Sequence, residues 1–177
     1  CRPRLHDYED TQLHSAKQCS DDQLVADLLY GQSNTLSGSG LDDQSLIQIA
    51  HEAFPGRAFA IVREWMIVDL ILPTERLNEL AENGQQPLVL LANRVVHDTD
   101  ATSRVEALTV TGFAQDFFGC FVEADRKMYV LAGRGARKYS AMPALAAFKR
   151  LHVGADNPDL DGRCPVPSRG VSHIPPR

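Results

Sequence analysis

Residues Trp65 to Leu72 (WMIVDLIL) place the strongest constraint on what this chain can fold into. Met66, Val68, Leu70 and Leu72 fall on one face of a strand, and Trp65, Ile67, Asp69 and Ile71 on the other. Side chains alternate across a strand, so apolar character on both faces calls for cover on both sides. The segment therefore reads as a central strand. Asp69 is the one polar residue in it. Its plain role is to reach a backbone donor or the rim of the sheet, because buried carboxylates need partners. Its functional role would be that of a perturbed acid in a cleft.

The neighbouring elements follow from periodicity and punctuation. Asp42 or Asp43 can cap a helix carrying Leu46, Ile47, Ala50, Ala53 and Phe54, and Pro55-Gly56 stops it. Ala58–Val62 reads as a separate strand. Pro73-Thr74 opens a second helix that faces inward with Leu77, Leu80 and Ala81 and closes at Asn83-Gly84. Pro87–Val96 and Arg104–Phe113 read as strands. Cys120–Ala124 and Met128–Ala132 pair as a hairpin across Asp125-Arg126-Lys127. Ser140 can cap a last helix with Pro143 in its first turn.

This α-β-β-α-β-β-β-β-α pattern predicts an α+β domain over 41–152. It would be a mainly antiparallel sheet of five to six strands, with two or three helices packed on it. Residues 1–40 are expected to be a flexible arm in which Ser20-Asp21-Asp22 can cap a short helix and Gly31–Gly40 forms a linker. Residues 153–177 read as a disordered, proline-rich tail.

Several chemistries find no constellation here. The four cysteines are far apart without a C-x-x-C pair, so a zinc ribbon is not expected. Gly31-Gln32-Ser33-Asn34-Thr35 lacks the second glycine of a nucleophile elbow. His97-Asp98-Thr99-Asp100 reads as a polar turn, with His97 and Asp69 kept as secondary candidates. Cys120 is expected in the core. No catalytic residue, metal or cofactor is assigned, no apolar run has membrane-spanning length, and a cytoplasmic location is expected.

The densest cluster of functional candidates is Gly133-Arg134-Gly135-Ala136-Arg137-Lys138-Tyr139-Ser140. It reads as a strand-to-helix loop, where glycines bring backbone N–H groups near an anion and three cations raise the potential. It also marks a change in charge. Residues 1–132 hold 10 Lys/Arg against 20 Asp/Glu, whereas residues 133–177 hold 8 against 3. The spacing fits neither a P-loop nor a dinucleotide fingerprint. Gly133, Arg134, Gly135, Arg137, Lys138 and Ser140 therefore stand as partner- or ligand-binding candidates.

Five motifs add a resemblance. Val62-Arg63-x-Trp65, Asp69-Leu70 before Pro73, Val95-Val96 before Asp98 and Gly119-Cys120-Phe121-x-Glu123 are four of them. The fifth is Tyr129-Val130-Leu131-x-Gly133-x-Gly135-x-Arg137-Lys138. Over roughly residues 25–150 the chain resembles an uncharacterised domain family of pseudomonads and their mobile elements. The resemblance implies a bacterial, cytoplasmic or phage-associated origin and supplies no activity.

Two functions are expected from this. The first is a small non-enzymatic binding or regulatory protein (an inhibitor, immunity-type or mobile-element accessory protein) that contacts another protein. The second is nucleic-acid or nucleotide-phosphate binding through Gly133–Lys138.

Overall fold

The computed structural model describes residues 20–100 and 108–152. Residues 1–19, the start of the strand expected from Arg104, and the tail 153–177 lie outside the described residues.

Within them the order is α1 (Asp21–Tyr30), β1 (Asn34–Ser37), α2 (Asp43–Ala53), β2 (Phe59–Ile71), α3 (Thr74–Glu82) and β3 (Leu88–Asp98). Then come β4 (Thr109–Val110), β5 (Ala114–Phe118), β6 (Phe121–Ala124), β7 (Lys127–Leu131), β8 (Arg134–Ala141) and α4 (Met142–His152). Two helix starts follow the expected chemistry, whereas α3 begins after Pro73 without a side-chain cap. Ser20 accepts from the N–H of Gln23, and Asp42 accepts from that of Ser45 at 3.0 Å.

The fold is α+β, but its sheet is mixed rather than mainly antiparallel, and it has eight strands among the described residues. The central strand is β2. On one edge it pairs antiparallel with β3. On the other, Phe59–Val62 runs parallel to Met128–Leu131 of β7, and Met66–Ile71 runs parallel to Ala136–Ala141 of β8. Thus β7 and β8 lie end to end along β2. Antiparallel neighbours flank them in turn, β6 beside β7 and β1 beside β8. The extra strands come from three stretches read otherwise. The Gly31–Gly40 linker contains β1, Ala114–Phe118, where no strand is expected, is β5, and the basic loop is β8.

Two expected strands, Ala58–Val62 and Trp65–Leu72, are one continuous strand with a bend. Glu64 has φ 53, an uncommon conformation for a non-glycine residue, and beside it Gly133 has φ +71 where β7 passes into β8. Both neighbouring strands therefore turn at the same level. The carbonyl of Ala132 is kept satisfied there, because Trp65 Nε1 donates to it at 3.1 Å. An unpartnered buried carbonyl would cost about 1–3 kcal/mol.

The bend also exchanges face parity along β2. Ala60, Val62, Trp65 and Ile67 share the inner face with Leu88, Leu90, Ala114, Val122 and Leu131. The sheet curls over this core until Gln86 N–H donates to the carbonyl of Ala114 at 2.7 Å. On the outer face α2 covers Phe59, Ile61, Met128 and Val130. Farther along that face α1 and α4 cover Val68, Leu70, Val89 and Leu91.

Candidate functional site

The site begins with β8 and the bend that leads into it, where two glycines serve structure. Gly133 supplies the left-handed turn at the bend. Gly135 lies against the indole of Trp65: a Cβ there would sit 2.2 Å from a ring carbon. Only glycine fits. The glycine spacing that suggested an anion-binding loop is thus explained by a bend and a flat aromatic neighbour.

The cations of β8 point to opposite faces and meet different partners. On the inner face Arg137 makes a bidentate pair with Asp69, 2.7 Å from Nε and 2.8 Å from the second guanidinium nitrogen. Its guanidinium also lies 5.4 Å from the ring centroid of Phe117. The Asp69 hydrogen bond holds Arg137 above its ordinary pKa, against an opposing effect of burial. Asp69 is therefore an ion-pair partner reached from the neighbouring strand.

On the outer face Lys138 is buried, and its ammonium donates to the carbonyls of Asp27 and Leu28, each at 2.8 Å. These are last-turn acceptors of α1, a helix with no basic residue in its own last turn. Lys138 supplies from another strand the cation that suits a helix C-terminus. Burial pushes its ammonium pKa down, and the charge of Asp27 partly offsets this.

Arg134 is exposed at the start of β8. Ser140 is paired in the strand opposite Leu70 and does not cap α4, which begins two residues later. Strand and helix follow each other directly, with Pro143 in the first turn, where its missing N–H does no harm.

Beyond Arg137 the edge of β8 outgrows β1, which pairs only with Arg134–Arg137. The step leaves an open polar groove of about 390 Å³ lined by Gln32, Ser33, Asn34, Arg137, Lys138 and Tyr139. Tyr139 is 72% exposed and Ile71 is 65% exposed. By register both lie on the face of the Asp69–Arg137 pair, on adjacent strands. No periodicity signal could have found this pair, because the parallel pairing joins residues about seventy positions apart.

The remaining candidates lie elsewhere. His97 lies one residue from the end of β3, opposite Ile61, eight residues along β2 from Asp69, which is roughly 25 Å of strand. Its Nε2 is buried without a hydrogen-bond partner, and its ring lies 5.5 Å from Phe59 and 6.2 Å from His51. The expected turn His97–Asp100 begins inside the strand and works as a clip. Lys127 donates to Asp98 at 2.8 Å and lies 3.1 Å from Asp100. Thr99 Oγ1 accepts from the N–H of Phe59 and donates to its carbonyl. Burial pushes the Cys120 thiol up, the reverse of an activated nucleophile. Asp69, His97 and Cys120 form no shared pocket. Among the described residues no three His, Cys, Asp or Glu side chains converge as metal ligands, and no helix is long and apolar enough to cross a membrane.

Neither a curated protein nor a solved structure matches the chain. A family described as a domain of unknown function, DUF6957, matches residues 37–147. That span runs from the end of β1 into α4 and includes β2, the bend and all of β8. The chain belongs to the DUF6957 family.

Proposed function

We propose that the protein is a small non-enzymatic binding or regulatory protein that acts by protein–protein contact. It would be an inhibitor, immunity-type or mobile-element accessory protein of the bacterial cytoplasm. The observation that supports this reading is the shared face of Tyr139, which lines the polar groove, and Ile71 on the adjacent strand, two large exposed side chains. Tyrosine and arginine dominate the energetics of protein interfaces, and a rigid sheet presents them with little ordering cost. On the same face the Asp69–Arg137 ion pair ties β2 to β8.

The phosphate-binding alternative has narrower support. Two of its three cations already have partners inside the protein, which leaves Arg134 as the exposed member. Phosphate contacts would give nucleic-acid affinity that falls steeply with salt.

One experiment separates the two. The tagged protein and a Tyr139→Ser/Ile71→Ser variant are used to capture partners from the native host at low and moderate salt. A protein retained at both salts by the wild type and lost by the variant supports the reading. Retention of nucleic acid that disappears with salt and with Arg134→Ala supports phosphate binding and overturns it, as does protein retention indifferent to the variant.

A further inference from the structure

A second opening lies on the outer face of the sheet, on a different surface from Tyr139 and Ile71. It is an apolar notch of about 150 Å³ between α2 and the sheet, lined by Leu41, Leu46, Ile49, Cys120, Phe121 and Val130. Protein interiors pack closely, so a notch persists only where its walls cannot close on it. Here the walls are held. Leu46, Ala50 and Val130 belong to the core under α2. The ring of Phe121 has Phe54 and Phe118 as neighbours, with centroids 5.3 and 5.4 Å away. Ser39 donates to the carbonyl of Leu131 at 2.8 Å and accepts from the N–H of Gly133 at 2.7 Å. Around the opening Leu41 is 46% exposed, Ile49 43% and Phe118, beside Phe121, 47%. Large apolar side chains gathered exposed at one place mark a binding surface more than the same residues scattered.

The chemistry of the notch limits its occupant. The charges on α2 and its cap are all negative (Asp42, Asp43 and Glu52), and no lining residue is charged, so nothing there attracts an anion. Backbone groups around it are already bonded within the chain. Besides the N–H and carbonyl of Ser39, the N–H of Leu41 donates to Ser39 Oγ, and the carbonyl of Cys120 accepts from Leu131. A docking peptide draws affinity from main-chain hydrogen bonds, and these groups have none to give. Size narrows the choice further. An apolar cavity of about 150 Å³ takes a benzene-sized group, whereas pockets for drug-sized ligands begin near 300 Å³. Finally, Phe121 provides an aromatic wall and Cys120 a polarizable sulfur, and both favour a ring over an aliphatic group of the same size.

We infer that the notch is a binding site for a small, uncharged molecule with a single aromatic ring. The ring would lie against Phe121 and be covered at the opening by Leu41 and Ile49. This site is independent of the Tyr139–Ile71 surface and stands or falls without it.

The test is a titration of the full chain with benzene, following the Leu, Ile and Val methyl groups by NMR. The expected result is saturable shifts at Leu41, Leu46, Ile49 and Val130, with a thermal midpoint that rises with benzene concentration. Alkylation of Cys120, read by mass spectrometry of its peptide, should slow as the site fills. Benzoate should do none of this. Ile49→Trp and Leu41→Trp, both at exposed positions, should fill the notch and abolish the shifts of the remaining methyl groups, with circular dichroism unchanged. Shifts that never saturate, or that survive in both variants, overturn the inference, as does benzoate binding as well as benzene. N-acetylphenylalanine amide binding more tightly than benzene also overturns it, since the notch would then anchor the side chain of a protein partner.

Discussion

β7 and β8 run end to end along the same edge of β2, in the same direction, and carry opposite chemistry. From Met128 to Leu131 the side chains of β7 are apolar or aromatic and buried, two in each core. β8 carries Arg134, Arg137, Lys138, Tyr139 and Ser140 in a comparable position. It can do so because its charges find partners supplied by other elements, namely Asp69 from β2 and the last carbonyls of α1. A cluster of cations in a sequence is thus a poor measure of free positive charge. What decides is whether the fold brings acceptors to it.

The comparison can be broken most forcefully at Gly135. If β8 is an integral strand packed on Trp65, Gly135→Ala should destabilise the protein by about 3 kcal/mol, at the upper end of overpacking effects. A denaturant midpoint measures this. Gly40→Ala, where a Cβ would meet nothing within 4 Å, is the control and should stay within about 0.5 kcal/mol. A β8 that behaved as a loop would tolerate both.

A smaller effect is expected at Lys138. Lys138→Met keeps the stem and removes the ammonium, leaving two acceptors at the end of α1 without their donor. The cost should be about 2 kcal/mol, with faster hydrogen exchange concentrated in Asp21–Tyr30. If exchange in α1 is unchanged, the helix does not depend on β8.

The mildest test compares the two lysines by titration. Burial lowers the pKa of Lys138 below 10.5. Burial also acts to lower that of Lys127, but hydrogen bonds and charge from Asp98 and Asp100 raise it above 10.5 overall. For Lys138 the folded state binds its proton more weakly than the unfolded chain, so its contribution to stability rises with pH between the folded value and 10.5. For Lys127 the contribution is fully present below 10.5 and is lost as pH climbs through the raised folded value. NMR of the lysine side chains should show Lys138 deprotonating first. The reverse order would remove the distinction.

Much of the local structure was legible in the residues. Asp42 announces α2, Asn83-Gly84 ends α3, and the β6–β7 hairpin turns where expected, on Asp125 and Arg126 at positive φ, with Lys127 already paired in β7. These signals act within a few residues. The errors came where local chemistry had a distant cause. Gly133 and Gly135 looked like a flexible loop because nothing nearby in sequence shows that Trp65 lies on top of one of them. The polar, glycine-flanked Asn34–Ser37 looked like a linker because an edge strand needs little apolar character of its own. β2 was split in two because the bend at Glu64 exchanges its faces and interrupts the alternation. The parallel pairing, and with it the groove and the Tyr139–Ile71 pair, was invisible because register between β2 and β8 is set by tertiary packing.

The position of β2 also bears on the order in which the molecule can assemble. β3 follows β2 closely, so those two can meet early. The other edge of β2 must wait for residues 128–141, about seventy positions downstream. Until they arrive, this long and largely buried strand has one side open, and contacts this distant in sequence form slowly. During synthesis the stretch from Phe59 to Ile71 leaves the ribosome well before its cover does. A chain truncated before Arg134 would keep β7 against Phe59–Val62 but leave the edge of Met66–Ile71 uncovered, so aggregation is its expected fate.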